Sequence, residues 1–175
     1  MSSIKKTVLG LVLICATLNG YSYSDWDFSP KQKQIIAVAE DIGTSDGHPT
    51  TLIPAILLQE SGMGANVEHN TYMGVGQMSV IATNEVIKTF PEVGSECRIN
   101  SSMPKAKLKQ IINRDAKCGV QLTSKYLVIL KSRYKFTSIP RLILAYNVGP
   151  VAATRHATVN NYTKSVITNM AKMRR

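Results

Sequence analysis

Apolar residues recur along this chain at the three- and four-residue spacing of helices, and almost none of them alternate with a period of two. Ser29, Pro30 and Gln32 form the pattern of a helix N-terminus, a capping box ahead of an apolar run that ends at Gly43. Further helices are predicted at about 51–62, 79–90, 104–113, 115–134 and 138–148, with a last one from 160 onward. The pattern predicts a mainly α fold.

Glycine, proline and serine mark the breaks between these helices. The glycine-rich segment 62–77 is predicted to be an irregular loop. Pro91 is expected to end the third helix, 94–100 is expected to be a loop, and Ser102 is expected to cap the helix that begins near residue 104. No repeat or low-complexity linker interrupts the pattern, which favours a single domain.

Residues 1–24 have the pattern of a secretion signal. Two lysines precede the uncharged stretch 8–18, and Ser22 and Ser24 then occupy the small-residue positions before a cleavage point after Ser24. The stretch is 11 residues long, whereas a membrane-spanning helix needs about 20. We therefore predict an exported protein whose mature domain is 25–175, with an uncleaved membrane anchor as the alternative.

Cys97 and Cys118 are the two cysteines of the mature domain. An even pair in an exported protein favours a disulfide, and closing a loop of this length would contribute roughly 3 kcal/mol in the chain-entropy model. Two buried free thiols are the alternative.

Charge is distributed unevenly around a net +10. Residues 25–96 hold 3 Lys/Arg and 10 Asp/Glu, a net of −7, and residues 97–175 hold 16 Lys/Arg and 1 Asp, a net of +15. A basic half attracts anionic polymers, but here the basic residues are interspersed with apolar ones at helical spacing, as on a solvated helix face. No nucleic-acid-binding motif accompanies them, so we expect no nucleic-acid partner.

Glu60 ends the apolar run of the second predicted helix, just before Gly62. A carboxyl group in this position is expected to be partly buried near a helix C-terminus. Burial and the negative end of the helix dipole both disfavour the ionised form, so its pKa is expected to rise toward the range of a general acid.

Three short motifs place Glu60 in a recognisable context. They are Glu60-Ser61, Gly74-Val75-Gly76-Gln77 and Ala145-Tyr146-Asn147. In this order they resemble the signature motifs of the soluble lytic transglycosylases, a family with a lysozyme-like fold related to goose-type lysozymes. The resemblance covers nearly the whole mature chain. The second motif of the family usually reads Gly-Leu-Met-Gln, so Val75 and Gly76 depart from it while Gln77 is retained.

The resemblance implies cleavage of the β-1,4 bond between N-acetylmuramic acid and N-acetylglucosamine in peptidoglycan, in the periplasm. Glu60 would protonate the glycosidic oxygen and then accept the proton of the muramic acid 6-hydroxyl, which yields a 1,6-anhydro sugar. Ordinary glycosidases need two carboxylates, but assistance by the substrate's 2-acetamido group makes one sufficient. Glu68 and Glu85 are the nearest other candidates, and Glu68 is the one to examine if the enzyme proves to be a hydrolase.

The remaining candidate residues are expected to bind substrate. Ser61 would hydrogen-bond the carboxylate or an acetamido group, or else satisfy backbone carbonyls at the helix end. Gln77 would bind sugar amides or hydroxyls, and the phenol of Tyr146 would bind or orient Glu60. Asn147 would hold an N-acetyl group, or else cap its helix. Tyr162 resembles, more loosely, a family tyrosine that faces the cleft.

Several alternatives remain open at this point. The three histidines, His48, His69 and His156, are scattered and no metal-binding spacing occurs, so neither metal nor cofactor is expected. A monomer acting on glycan strands, recruited by a secretion, conjugation or pilus machine of the envelope, is the leading hypothesis. A phage-type lysozyme, a non-catalytic wall-binding scaffold, and a nucleic-acid or membrane-surface binder are the alternatives.

Overall fold

The computed structural model describes residues 26–155 and 159–174, and the described chain is mainly α. The predicted signal segment 1–24 and His156 lie outside the described residues. The helices of the described part are α1 (Pro30–Ser45), α2 (Leu52–Ser61), α3 (Val80–Thr89), α4 (Pro91–Cys97), α5 (Lys105–Arg114), α6 (Ala116–Ser132), α7 (Ile139–Val148), α8 (Pro150–Arg155) and α9 (Asn161–Met173).

Helix α1 begins with the predicted capping box. The Ser29 hydroxyl accepts the Gln32 backbone N–H at 3.3 Å, and the Gln32 side chain accepts the Ser29 N–H at 2.9 Å. The Gln32 amide also donates to the Gly62 carbonyl oxygen at 2.9 Å, so the cap joins the start of α1 to the end of α2. Helix α1 then continues past Gly43 to Ser45, because Gly43 packs against Ile53 instead of ending the helix.

Helix α2 forms the centre of the core and contacts α1, α6 and α9. Its first six residues, from Leu52 to Leu57, are buried, which accounts for the uninterrupted apolar run in the sequence. Gly62 ends it in the left-handed conformation with φ 60°. The last turn of α2 therefore carries Glu60 from the core out to the surface of a cleft.

Two short helices were not predicted. Pro91 was expected to end a helix, but it also occupies the first turn of α4, where its missing N–H costs nothing. Gly94 was expected in a loop but lies within α4, since a Cβ there would meet Ile87 and the Ile99 carbonyl oxygen, both at 3.0 Å. Helix α8 follows α7 after Gly149 alone.

The predicted cap at Ser102 is also wrong. Helix α5 begins at Lys105 after Pro104, without a side-chain cap. The Ser102 hydroxyl instead donates to the Asn100 side-chain oxygen at 2.7 Å, within the preceding turn.

Cys97 and Cys118 form a disulfide, as predicted, with their Cα atoms 5.4 Å apart. The bond joins the end of α4 to the first turn of α6. Within residues 26–155 and 159–174 no helix has the length and apolar character needed to span a membrane.

A polar cluster fixes the turn between α1 and α2 to α6. Asp46 accepts from the Ser124 hydroxyl and from the Lys125 ammonium group, each at 2.6 Å. The His48 ring is buried, with Nε2 3.1 Å from the Ser124 carbonyl oxygen, and burial lowers the pKa of this histidine.

Candidate active site

A cleft of about 310 Å³ opens beside the last turn of α2. Its walls come from the end of α2, the end of the glycine loop with the start of α3, the middle of α6 and the end of α7. The lining residues are Glu60, Tyr72, Gln77, Met78, Ser79, Ala82, Tyr126, Tyr146, Asn147, Val148 and Gly149. Residues of all three sequence motifs therefore meet at one cavity.

Glu60 is partly buried in the wall of this cleft. Burial raises the pKa of its carboxyl group from 4.5 to about 7, while a hydrogen bond from Tyr162 opposes the rise. Among the described residues Glu60 forms no ion pair. The carboxyl group is therefore half protonated near neutral pH, which suits it both to donate and to accept a proton.

Tyr162 is the direct partner of Glu60. Its hydroxyl donates to Oε1 of Glu60 at 2.5 Å, across 102 positions of sequence. Burial and the neighbouring carboxylate raise the pKa of Tyr162, so the phenol stays protonated and remains a donor. Tyr162, a predicted site residue, lies in the first turn of α9 and contacts the Glu60 carboxyl group.

Tyr146 lies in the cleft but faces a different partner from the one expected. Its hydroxyl donates to the Gly76 carbonyl oxygen at 2.6 Å and lies 3.3 Å from both the Thr123 hydroxyl and the Met78 sulfur. The single proton of the phenol is therefore used on the glycine loop. Tyr146 was expected to hydrogen-bond or orient Glu60; its phenol proton is donated to Gly76, and Tyr162 hydrogen-bonds the carboxyl group.

Close packing around the glycine loop requires a glycine at position 76. A Cβ at this position would lie 1.9 Å from the Thr123 hydroxyl and 2.9 Å from that of Tyr146. Thr123 is fully buried in α6, where its hydroxyl donates to the Gly119 carbonyl oxygen at 2.9 Å. Glycine here allows the loop backbone to reach the Tyr146 hydroxyl.

Ser61 is 2% exposed and performs the structural role considered for it. Its hydroxyl lies 2.7 Å from the Val75 carbonyl oxygen and accepts the Gly64 N–H at 2.9 Å. It therefore joins the end of α2 to both ends of the glycine loop and makes no hydrogen bond to Glu60.

Gln77 lines the cleft in the left-handed conformation, with φ 48°. Its side-chain NH₂ donates to the carbonyl oxygens of Gly74 at 2.8 Å and Val67 at 3.4 Å. Both amide hydrogens are thus used by the loop, which leaves the side-chain oxygen as the group suited to accept from a sugar N–H or O–H.

Asn147 is exposed at the end of α7, and its side-chain oxygen accepts from the Asn160 amide at 2.9 Å. Asn160 in turn caps α9, accepting from the Thr163 backbone N–H and hydroxyl at 2.9 Å each. The third motif is thereby connected to the helix turn that carries Tyr162. The Asn147 NH₂ group remains available to a ligand.

The two other candidate carboxylates lie elsewhere. Glu68 is 79% exposed and accepts from Asn113, with Lys109 at 3.5 Å, so it faces α5. Glu85 pairs with Arg133 at 2.8 Å on another face of α3. Among the described residues, Glu60 is the one carboxylate that lines the cleft.

No protein-family model matches the chain, and neither does any curated protein or any solved structure. Within the part of the chain that the structure describes, no three His, Cys, Asp or Glu side chains are grouped as a metal site would require.

Two tyrosines of the cleft, Tyr126 and Tyr72, were missed by the sequence analysis. Tyr126 packs edge-on against Tyr146, with ring centroids 5.9 Å apart. Burial, and to a smaller extent the charge of Glu85, raises the pKa of Tyr126 to about 12. Tyr72 is 43% exposed at the rim. Neither belongs to a motif, and only the packing of α6 and the glycine loop brings them to Glu60.

Proposed function

We propose that this protein is a peptidoglycan lytic transglycosylase with a lysozyme-like catalytic domain. The observation that carries the proposal is the Glu60 carboxyl group, which lines a cleft, forms no ion pair among the described residues and has a pKa of about 7. A group with this pKa can both give and take a proton at neutral pH. The residues of the three motifs meet at this cleft, and the resemblance of these motifs to those of lytic transglycosylases indicates peptidoglycan as the substrate.

In the proposed reaction Glu60 protonates the glycosidic oxygen as the bond from C1 of the muramic acid breaks. The carbonyl oxygen of the substrate's 2-acetamido group attacks C1 and supplies the nucleophile that a second carboxylate provides in ordinary glycosidases. The 6-hydroxyl oxygen of the same sugar then bonds to C1 and releases the acetamido group. Its proton passes to Glu60, which restores the starting state and leaves a 1,6-anhydro sugar.

The other residues of the cleft support this role for Glu60. Tyr162 holds one carboxyl oxygen, which leaves the other to meet the substrate. The side-chain oxygen of Gln77 and the NH₂ group of Asn147 offer one acceptor and one donor to the acetamido or hydroxyl groups of a glycan strand. We further propose that the chain is exported to the periplasm, removing residues 1–24, and opens the wall locally at an envelope secretion or conjugation machine.

Mass spectrometry of the products tests the proposal. The purified protein is incubated with peptidoglycan, and the reaction is repeated with Glu60→Gln and with Glu92→Gln, a change of an exposed glutamate outside the cleft. We expect anhydro-muropeptides from the native protein and the Glu92 variant, and a loss of about 10²- to 10⁴-fold for Glu60→Gln. Absence of products from the native protein would overturn the proposal.

A hydrolytic lysozyme is the second candidate, because Glu60 could act as the acid of that reaction as well. It would yield reducing-end sugars in the same experiment. The absence of a second carboxylate from the described lining favours the transglycosylase.

A further inference from the structure

The glycine loop ends in a tight turn, residues 74–77, which we refer to as the loop tip. Met73 and Met78 close the turn with two backbone hydrogen bonds, at 3.0 and 2.9 Å. Inside the turn, the Gly74 carbonyl oxygen accepts from the Gln77 backbone N–H at 3.1 Å and from the Gln77 side-chain NH₂ at 2.8 Å. The direction of the Gln77 side chain in the cleft therefore depends on where Gly74 is held.

Side chains from three different helices hold the backbone of the loop tip. Ser61 of α2 and Tyr146 of α7 each contact one carbonyl oxygen of the tip, as described above. The third side chain comes from the last turn of α5, where the Asn113 side-chain oxygen accepts the Gly74 N–H at 2.7 Å across 39 positions of sequence. Asn113 belongs to none of the three motifs, yet it holds the residue on which Gln77 depends.

The partners of Asn113 fix the direction in which its amide group faces. A backbone N–H can only donate, so the side-chain oxygen must face Gly74, and the NH₂ group donates on its other side to a Glu68 carboxylate oxygen at 3.1 Å. The loop tip also packs directly on α5, since a Cβ on Gly74 would lie 2.6 Å from the Ile112 side chain. Glu68, the carboxylate considered for a hydrolase, thus supports the loop tip from outside the cleft.

A short chain of hydrogen bonds connects Asn113 to the cleft. Asn113 holds the N–H of Gly74, and the carbonyl oxygen of Gly74 holds the NH₂ group of Gln77, which leaves the Gln77 side-chain oxygen to meet a ligand. We propose that Asn113 is a positioning residue that directs the Gln77 side-chain oxygen toward the glycan strand, with Glu68 orienting the Asn113 amide. The inference rests on the proposed function for the identity of the ligand, whereas the positioning itself is measurable without substrate.

Kinetics on peptidoglycan test the inference with three variants. Asn113→Leu removes the acceptor at similar size, and we expect KM to rise about two- to tenfold, as for one hydrogen bond to the ligand lost, with kcat within about twofold of native. The paired exchange of Asn113→Asp with Glu68→Gln keeps an acceptor for Gly74 and reverses donor and acceptor beyond it, so KM should return to near native. Gln110→Leu, an exposed amide on the same helix, is the control. An unchanged KM in Asn113→Leu, or no rescue by the paired exchange, would overturn the inference.

A double-variant cycle distinguishes positioning from a general effect on the fold. If Asn113 acts through Gln77, its substitution has nothing left to position once the Gln77 amide is gone. In a Gln77→Ala background, Asn113→Leu should therefore change KM by less than about twofold, so that the two effects do not multiply. Two effects that multiply fully would mean that Asn113 acts independently of Gln77, contrary to the inference.

NMR of the protein without substrate provides a test that does not depend on turnover. The side-chain NH₂ signals of Gln77 and the solvent exchange of the Gly74 N–H are followed in the same variants. In Asn113→Leu we expect the Gln77 side-chain signals to shift and the Gly74 N–H to exchange about tenfold faster. The paired exchange and Gln110→Leu should leave both close to native. Gln77 side-chain signals that stay in place in Asn113→Leu would contradict the inference.

The kinetic and NMR experiments separate failure of this inference from failure of the proposed function. If the native protein cleaves no peptidoglycan but Asn113→Leu moves the Gln77 signals, the proposed function is wrong and the positioning role stands. If the native protein yields anhydro-muropeptides while KM and the Gln77 signals are unchanged in Asn113→Leu, the transglycosylase stands and the positioning role is wrong.

Discussion

Asp46 and Glu60 are two acids withdrawn from solvent, and the protein surrounds them differently. The side chain of Asp46 is 11% exposed and accepts from the Lys125 ammonium group and the Ser124 hydroxyl at 2.6 Å each. Glu60 accepts a hydrogen bond from the neutral phenol of Tyr162, and burial raises the pKa of the Glu60 carboxyl group to about 7. The first carboxylate joins α6 to the turn after α1, whereas the second lines the cleft and forms no ion pair among the described residues.

Among the described residues Asp46 has an ion-pair partner and Glu60 has none. A lysine or arginine at hydrogen-bonding distance would favour the ionised carboxylate and move its pKa away from neutrality. The cluster around Asp46 has that cation and serves to fix the fold. Stability and proton transfer thus require opposite surroundings for the same chemical group.

Matched amide substitutions of the two acids should have the largest and opposite effects on stability. Asp46→Asn leaves Lys125 without its carboxylate, and we expect a loss of about 2 kcal/mol in the free energy of unfolding. Glu60→Gln removes a charge that burial disfavours, and we expect a gain of up to about 2–3 kcal/mol above pH 7. Urea denaturation of both variants measures the two effects.

The pH dependence of the Glu60→Gln gain follows from the direction of the pKa shift. The folded state holds the Glu60 proton up to about pH 7, whereas the unfolded chain releases it near pH 4.5. The native protein therefore loses stability relative to the variant as pH rises through this window, and the gain should vanish below it. Asp41→Asn, on the exposed side of α1, is the control and should change stability by less than about 0.5 kcal/mol. A destabilised Glu60→Gln at pH 8 would contradict this account of the cleft.

The helix pattern of the sequence was sufficient for most of the fold, because caps and apolar spacing are local signals. Ser29, Ser79, Asp115 and Asn160 all cap helices through their side chains. The same rules failed at Gly94, where a glycine is required by close packing against α3 and not by a turn. A local rule cannot distinguish these two uses of glycine.

The candidate site, too, was predicted from the sequence only in part. The motifs identified Glu60, Gln77 and Tyr146 as neighbours, and they do line one cleft. The tyrosine that hydrogen-bonds the Glu60 carboxyl group is decided by how α9 packs against α2. These two helices lie far apart in the sequence. The sequence therefore left Tyr162 as the weaker candidate, although its hydroxyl is the one that contacts Glu60.

Substituting Gly76 should test how tightly the wall behind Glu60 is built. In Gly76→Ala the new methyl group overlaps the Thr123 hydroxyl, and we expect a loss of about 2 kcal/mol in unfolding free energy together with reduced activity. The double variant Gly76→Ala with Thr123→Ala removes the overlapping atom. Its loss should be smaller than the sum of the single losses by about 1 kcal/mol, as measured by urea denaturation. Simple additivity would show that the contact is not the cause.

The smallest expected effect concerns the hydrogen bond that Glu60 receives from Tyr162. Tyr162 donates to the carboxyl group and favours its ionised form, so Tyr162→Phe should raise the pKa of Glu60 further. The alkaline limb of the kcat/KM profile, where the acid loses its proton, should move upward by about one pH unit. Tyr146→Phe is the matched control, because its hydroxyl donates to Gly76 and not to Glu60. Tyr146→Phe should lower stability and leave the position of that limb unchanged. A downward shift of the limb in Tyr162→Phe would mean that the phenol stabilises the protonated acid instead.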